Sequence, residues 1–207
     1  MTNKKNSKKW IKKHFTDQYV KSAKIHNLRA RSWFKLQAIN YTDNLFTTGM
    51  RVVDLGSAPG GWALYAKKKI GNTGKIIACD ILPMPKICGV DFLNGDCSDP
   101  KILEGINIWS KNRKVHIILS DMSPNITGIS IIDINKSIYL GNLALKICQD
   151  FLKYGGTFVV KVFQGKNLDK YLHDVSSVFN IVKIRKPYSS NPASREIYIV
   201  AKKHKKV

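Results

Sequence analysis

Three aspartates and a lysine lie at or just inside the ends of short apolar runs: Asp54 in "RVVDL", Asp80 in "KIIACD", Asp121 in "VHIILSD" and Lys161 in "FVVKVF". Carboxylates accept hydrogen bonds from hydroxyls and amines and attract cations, whereas a lysine freed of its proton can act as a base. The first of these runs leads straight into "DLGSAPGGW", residues 54–62. Its glycines fall at Gly56, Gly60 and Gly61, which is not the GxGxxG spacing that cradles a pyrophosphate, and no GK[ST] follows. Pro59 also removes a backbone donor from the turn. The stretch therefore suits either a plain strand-to-helix corner or close backbone approach by a ligand without phosphates. Asp80 stands 19 residues after Gly61, where an acid commonly accepts from ribose hydroxyls, and Asp96 in "NGDCSD" is placed to receive an adenine amino group. A phosphate-free nucleoside held by a glycine turn and two acids describes S-adenosylmethionine.

Elements must bring these groups together. Apolar runs beginning at 51, 75, 115, 156 and 195 read as strands, and helical spacing is found over 29–41, 61–70, 134–153 and 168–179. The helix over 29–41 carries Lys35 and shows its spacing at Ala30, Phe34, Ala38 and Tyr41; "YGG" at 154–156 reads as the stop of the long helix. Strand and helix in alternation predict an α/β fold with a mostly parallel sheet flanked by helices. In such a sheet ligands bind beyond the carboxyl ends of the strands, which is where Asp54, Asp80, Asp121 and Lys161 gather.

The 207 residues fit one domain, expected over 21–207 with a basic C-terminal tail, preceded by a flexible basic arm over 1–20. The formal charge is +21, and residues 1–35 and 183–207 together carry +17 of it. That distribution asks for a polyanion, nucleic acid first, and predicts that the basic ends guide a large RNA toward the ligand edge of the sheet. No run approaches the roughly 20 apolar residues of a membrane span, and a cytoplasmic protein is expected. Cys79, Cys88, Cys97 and Cys148 form no CxxC pair and read as reduced thiols; neither they nor the histidines show metal-ligand spacing. Taken singly, Lys161 also fits a lysine snorkelling from an edge strand, Glu196 a solvated acid opening a strand, Lys35 an exposed helix lysine, and Trp62 a core aromatic.

The motifs "SWFKL" around Lys35, "DLGSAPGGW", "CDILPM", "GVDFLNGD", "SDMSPNITG", "VVKVFQG" and "SREIYIVA", in this order from about Tyr19 to Ala201, resemble the FtsJ, or RlmE-type, ribosomal RNA 2'-O-methyltransferases. The resemblance implies a Rossmann-like class I methyltransferase fold with an antiparallel final strand. It also implies a monomer that uses S-adenosylmethionine to methylate a uridine ribose in the A loop of large-subunit (23S) ribosomal RNA within the assembled 50S particle. By position, it implies cofactor contacts at Gly60, Trp62, Asp80, Asp96 and Asp121, and a catalytic set of Lys35, Asp121, Lys161 and Glu196, with no metal. Ser57 and Ser123 stand where the family is expected to have alanine, and "SSNPASRE" holds less arginine than expected, which bears on RNA contacts.

Overall fold

The apolar runs are buried on both faces, as strands inside a parallel sheet must be: Val52, Val53, Leu55, Ile76, Ala78, Ile117, Ile118 and Leu119 have no solvent exposure. The computed structural model describes residues 18–26, 28–191 and 193–206. Its strands are β1 (Arg51–Leu55), β2 (Lys75–Asp80), β3 (Asp91–Asn94), β4 (Val115–Ser120), β5 (Leu152–Phe163), β6 (Phe179–Arg185) and β7 (Glu196–His204). They form one sheet in the order β3-β2-β1-β4-β5-β7-β6. β1 to β5 pair in parallel, and β7 lies antiparallel between β5 and β6.

The helices are α1 (Gln18–Ile25), α2 (Ser32–Asp43), α3 (Gly61–Ile70), α4 (Pro100–Ser110), α5 (Ser130–Phe151) and α6 (Leu168–Val178). The sheet separates two cores: α4, α5 and α6 pack on one face, α2 and α3 on the other. The α/β class, the mostly parallel sheet and the antiparallel last strand are those predicted.

Several elements differ from the sequence reading. β3, β6 and α4 were not anticipated. α2 buries Trp33, Leu36 and Ile39, whereas Tyr41, placed on the apolar face by spacing, is exposed. "YGG" does not end α5, which stops at Phe151; it lies inside β5, where the pairing with β4 shifts register between Val115 and Ile117 and Gly155 takes a positive φ of 73°. α1 runs across residue 20, where the arm was expected to give way to the domain, and residues 1–17 of that arm lie outside the described residues.

The topology decides where Glu196 goes. β5 carries Lys161 to the carboxyl edge, and β7, running the other way, starts at that same edge with Glu196 opposite Phe163 and Tyr198 opposite Lys161. β7 then descends, so Lys202, Lys203 and Lys205 end at the opposite edge, not beside the ligand end as the charge map suggested.

Candidate active site

Lys161 and Asp121 meet at the carboxyl edge because β4 and β5 are neighbours. The Lys161 ammonium donates to the Asp121 backbone carbonyl at 2.6 Å and lies 3.0 Å from its Oδ1. Glu196 accepts from Lys35 of α2. Lys35 and Lys161 are each 8% exposed, so neither is the solvated surface lysine that its local sequence alone would permit. All four residues of the expected catalytic set thus occupy one connected cluster.

Tyr198 joins its two halves. The phenolic oxygen lies 3.1 Å from Asp121 Oδ1 and 2.5 Å from Glu196 Oε1, its single hydrogen shared between two carboxylates. Burial, followed by the charges of Asp121 and Glu196, pushes the Tyr198 hydroxyl well above its usual pKa, so it remains a neutral donor. The Glu196 carboxyl is held below its ordinary pKa: burial opposes the charge, but Lys35, Lys161 and the Tyr198 hydrogen bond outweigh it. Sequence reasoning passed over Tyr198. The signal was its alternation with Glu196 along "EIYIV", which puts both on the face that Lys161 shares.

The glycine turn is positioned by the neighbouring strands. The N–H groups of Gly56 and Ser57 donate to the Cys79 carbonyl, and the Ala58 N–H donates to Asp80 Oδ2 at 2.8 Å. Gly56 has φ +71°, and a Cβ there would stand 2.7 Å from the backbone of Met122. Gly60, at φ +103°, is packed by Ile87, Met84 and Arg29. Arg29, a second residue that sequence reading missed, ties the turn to the segment after β2: its guanidinium donates to the carbonyls of Pro59, Pro85 and Lys86.

Asp80 Oδ1 accepts from the Leu82 N–H, and Asp96, exposed, accepts from the Ser98 N–H. Both therefore have their own loops in order and keep lone pairs for a ligand. Trp62 is 2% exposed, with its indole N–H donated to the Ser32 carbonyl and its ring 5.6 Å from that of Tyr198. Its side chain belongs to the core, and its backbone N–H belongs to the first turn of α3.

Asp54 completes the acidic edge. It is fully buried, and neither carboxylate oxygen has a hydrogen-bond partner. Burial, then the charges of Asp121 and Asp80, raise its pKa well above the usual range; the Ala63 N–H opposes this without reaching hydrogen-bond geometry. Asp80, Asp96 and Asp121 face the cations Lys161 and Arg29 across this edge, an acidic balance that fits a cationic nucleoside better than an anionic one. Among the described residues no group of His, Cys, Asp and Glu is arranged to hold a metal ion. Cys79, Cys97 and Cys148 are buried and Cys88 exposed, all as free thiols; burial pushes the Cys79 thiol up to about 12. A cavity of about 190 Å³ lies next to the cluster, walled by Ile126, Ile134, Phe163 and Arg195 among others.

Residues 28–204 match the family described as FtsJ-like methyltransferase. A protein of Blochmanniella pennsylvanica named ribosomal RNA large subunit methyltransferase E is 64% identical over 196 residues, 95% of this chain and 94% of its own length. Its namesake in Blochmanniella floridana is 54% identical over 193 residues, 93% of this chain and 94% of its own. A crystal structure from Plasmodium falciparum, described as a ribosomal RNA methyltransferase, superposes with a TM-score of 0.77 at 26% identity, covering 85% of this chain and 98% of that one. Aeropyrum pernix fibrillarin with bound S-adenosyl-L-methionine shares the fold, with a TM-score of 0.54 at 14% identity over 82% of this chain and 75% of its own. With the family profile spanning residues 28–204, the chain belongs to the FtsJ-like methyltransferases.

Proposed function

We propose that this chain transfers a methyl group from S-adenosylmethionine to the ribose 2'-hydroxyl of a uridine in the A loop of large-subunit ribosomal RNA. It does so as a cytoplasmic monomer acting on the assembled particle. The observation that carries the reading is the single buried network of Lys35, Asp121, Lys161, Glu196 and Tyr198 at the sheet edge, beside the glycine turn. The relatives' names supply the class of RNA.

S-adenosylmethionine supplies a methyl carbon activated by a sulfonium. Gly60, the Trp62 backbone, Asp80 and Asp96 hold its nucleoside, and the carboxylate of Asp121 favours its positive charge. On the chain's side, the incoming 2'-hydroxyl must be aligned and must lose its proton as its oxygen bonds to carbon. Lys161 lies where the hydroxyl arrives and, in its neutral form, takes that proton. Asp121, held by both Lys161 and Tyr198, fixes the direction of the lysine. Glu196 anchors Lys35, which positions the RNA. Orientation of this kind contributes on the order of 7–11 kcal/mol to such displacements.

The test is incubation with labelled S-adenosylmethionine and, in separate arms, unmethylated large subunits, naked ribosomal RNA and transfer RNA. Label at one uridine ribose of the particle is expected. Label in transfer RNA alone would overturn the substrate, and cofactor binding with no label in any arm would make the protein an RNA-binding assembly factor.

A further inference from the structure

The edge of the sheet opposite the candidate active site is cationic, and one part of it is a cavity. Of the 147 residues between the basic ends, 36–182, 16 are basic and 12 acidic, an ordinary balance. Yet Arg51, Lys75, Lys111 and Arg113 converge on a cavity of about 210 Å³ whose lining contains no carboxylate. They arrive from separate elements: Arg51 opens β1, Lys75 opens β2, and Lys111 and Arg113 follow α4. Trp109 forms a wall, with the Arg51 guanidinium 5.8 Å from its ring.

The Arg51 side chain is anchored there by a single hydrogen bond. One guanidinium nitrogen donates to the Ser110 carbonyl, and its Nε is buried without an acceptor. Burial and the nearby charge of Arg113 lower its pKa, which marks a site where cations crowd without compensation. The positive edge continues along the sheet order through exposed Lys153 at the start of β5 to Lys203 at the end of β7. Carboxylates toward this edge include Asp91, which accepts from the Trp109 indole at 2.7 Å, Asp150 at the end of α5, and Asp43 at the end of α2, which pairs with Arg185 and whose carbonyl accepts from Lys202. From β2 to β7 the edge measures about 19 Å at the usual strand spacing. Along β7, Glu196 and Lys202 stand about 20 Å apart at the rise of an antiparallel strand.

We propose that this cavity and its cationic edge form a second RNA-contact site, holding backbone phosphates of the same large RNA whose ribose reacts at the carboxyl edge, about 13–17 Å up β1 and β2. The inference rests on the RNA reading given above. It assigns the charge of the sheet's foot to a segment of the substrate beyond the hairpin that carries the target ribose. A phosphate backbone fits the lining: two lysine point charges and two guanidinium groups, all donors to phosphate oxygens.

The test uses the Lys75→Glu/Arg113→Glu double variant, both positions exposed and remote from the catalytic cluster. Filter binding is measured on full-length 23S ribosomal RNA and on a short hairpin containing the target uridine, at several salt concentrations. For the full-length RNA, the dissociation constant is expected to rise about tenfold and the salt slope to fall by about 2. Hairpin affinity, S-adenosylmethionine affinity and melting temperature stay at the parent values. Unchanged full-length affinity, or equal losses on both RNAs, would overturn the proposal. So would loss of ATP or inorganic phosphate binding, or of co-sedimentation with phosphatidylserine vesicles, with RNA affinity intact. Failure of the methyltransferase reading is distinguishable, since the parent would then bind RNA and label none.

Discussion

At the residue scale, the cluster depends on groups whose roles differ although they touch. With Lys161 as the proposed proton acceptor, Lys161→Ala is expected to lower turnover by about 10²–10⁴-fold, as for loss of a general base, with S-adenosylmethionine affinity retained. Single-turnover methylation checks it. Tyr198→Phe removes the hydrogen shared by Asp121 and Glu196. It should lower stability by about 1–3 kcal/mol, since two buried carboxylates lose a donor. The Glu196 carboxyl, now less stabilised as an anion, rises in pKa, so the acid limb of the pH–rate profile moves to higher pH. A profile that stays in place would remove Tyr198 from the network. Asp54 titrates in the opposite sense. Its folded pKa lies well above the ordinary 3.8, so the folded chain keeps a proton that the unfolded chain releases. Its contribution to stability is full below pH 3.8 and declines as pH rises toward the folded value. Asp54→Asn should therefore melt at or above the parent temperature at neutral pH, with a flatter profile through the acid range, as followed by thermal unfolding across pH. The sequence put Lys161 and the three aspartates at one edge from pattern alone. Lys35 and Glu196 came from the resemblance, because nothing local distinguishes a buried helix lysine from an exposed one.

At the element scale, strands buried on both faces were legible because an uninterrupted apolar run has few other readings. β3 is four residues long with mixed burial, and β6 alternates too weakly to announce itself. α4 had its start signal in Asp99, whose side chain caps the Lys101 N–H at 2.9 Å, and in Pro100 at its first turn. Gly105 interrupts the pattern and hides the rest; the structure needs a small residue there, since a Cβ would approach Leu93 at 3.0 Å. The register shift that absorbs Gly155 in β5 depends on pairing with β4, which no local window contains. The glycine turn, by contrast, was read from spacing, and its geometry now ranks its members. Both have positive φ, but at Gly56 a Cβ meets Met122 backbone at 2.7 Å, whereas at Gly60 the closest atoms are side-chain ends that can move. Gly56→Ala should cost roughly 1–3 kcal/mol of stability and weaken S-adenosylmethionine binding as the turn shifts off β4. Gly60→Ala, with movable neighbours, should melt closer to the parent. Calorimetry on both variants tests the order, and a larger loss at Gly60 would reverse it.

At the scale of the whole molecule, the fold places opposite charge characters at the two edges of one sheet. The carboxyl edge gathers Asp54, Asp80, Asp96 and Asp121 around the ligand turn, and the foot gathers Arg51, Lys75, Lys111 and Arg113. Composition showed that the charge was positional but could not show the direction of β7, which carries the basic tail away from the reacting groups. An enzyme built this way should separate its two ligands by salt. On the readings proposed above, the nucleoside ligand would be held in a largely enclosed site that ions screen little, and RNA by exposed cations whose counterions are released on contact. With about four phosphate contacts and a slope near 0.9 per contact, RNA affinity should fall about a hundredfold between 50 and 200 mM salt. S-adenosylmethionine affinity over the same range should change by less than about twofold. Titration calorimetry for the cofactor and filter binding for the RNA, in matched buffers, test the separation. Parallel salt dependence of the two would mean that the RNA is held chiefly by the buried cluster, and that the cations of the foot are surface charge without a ligand.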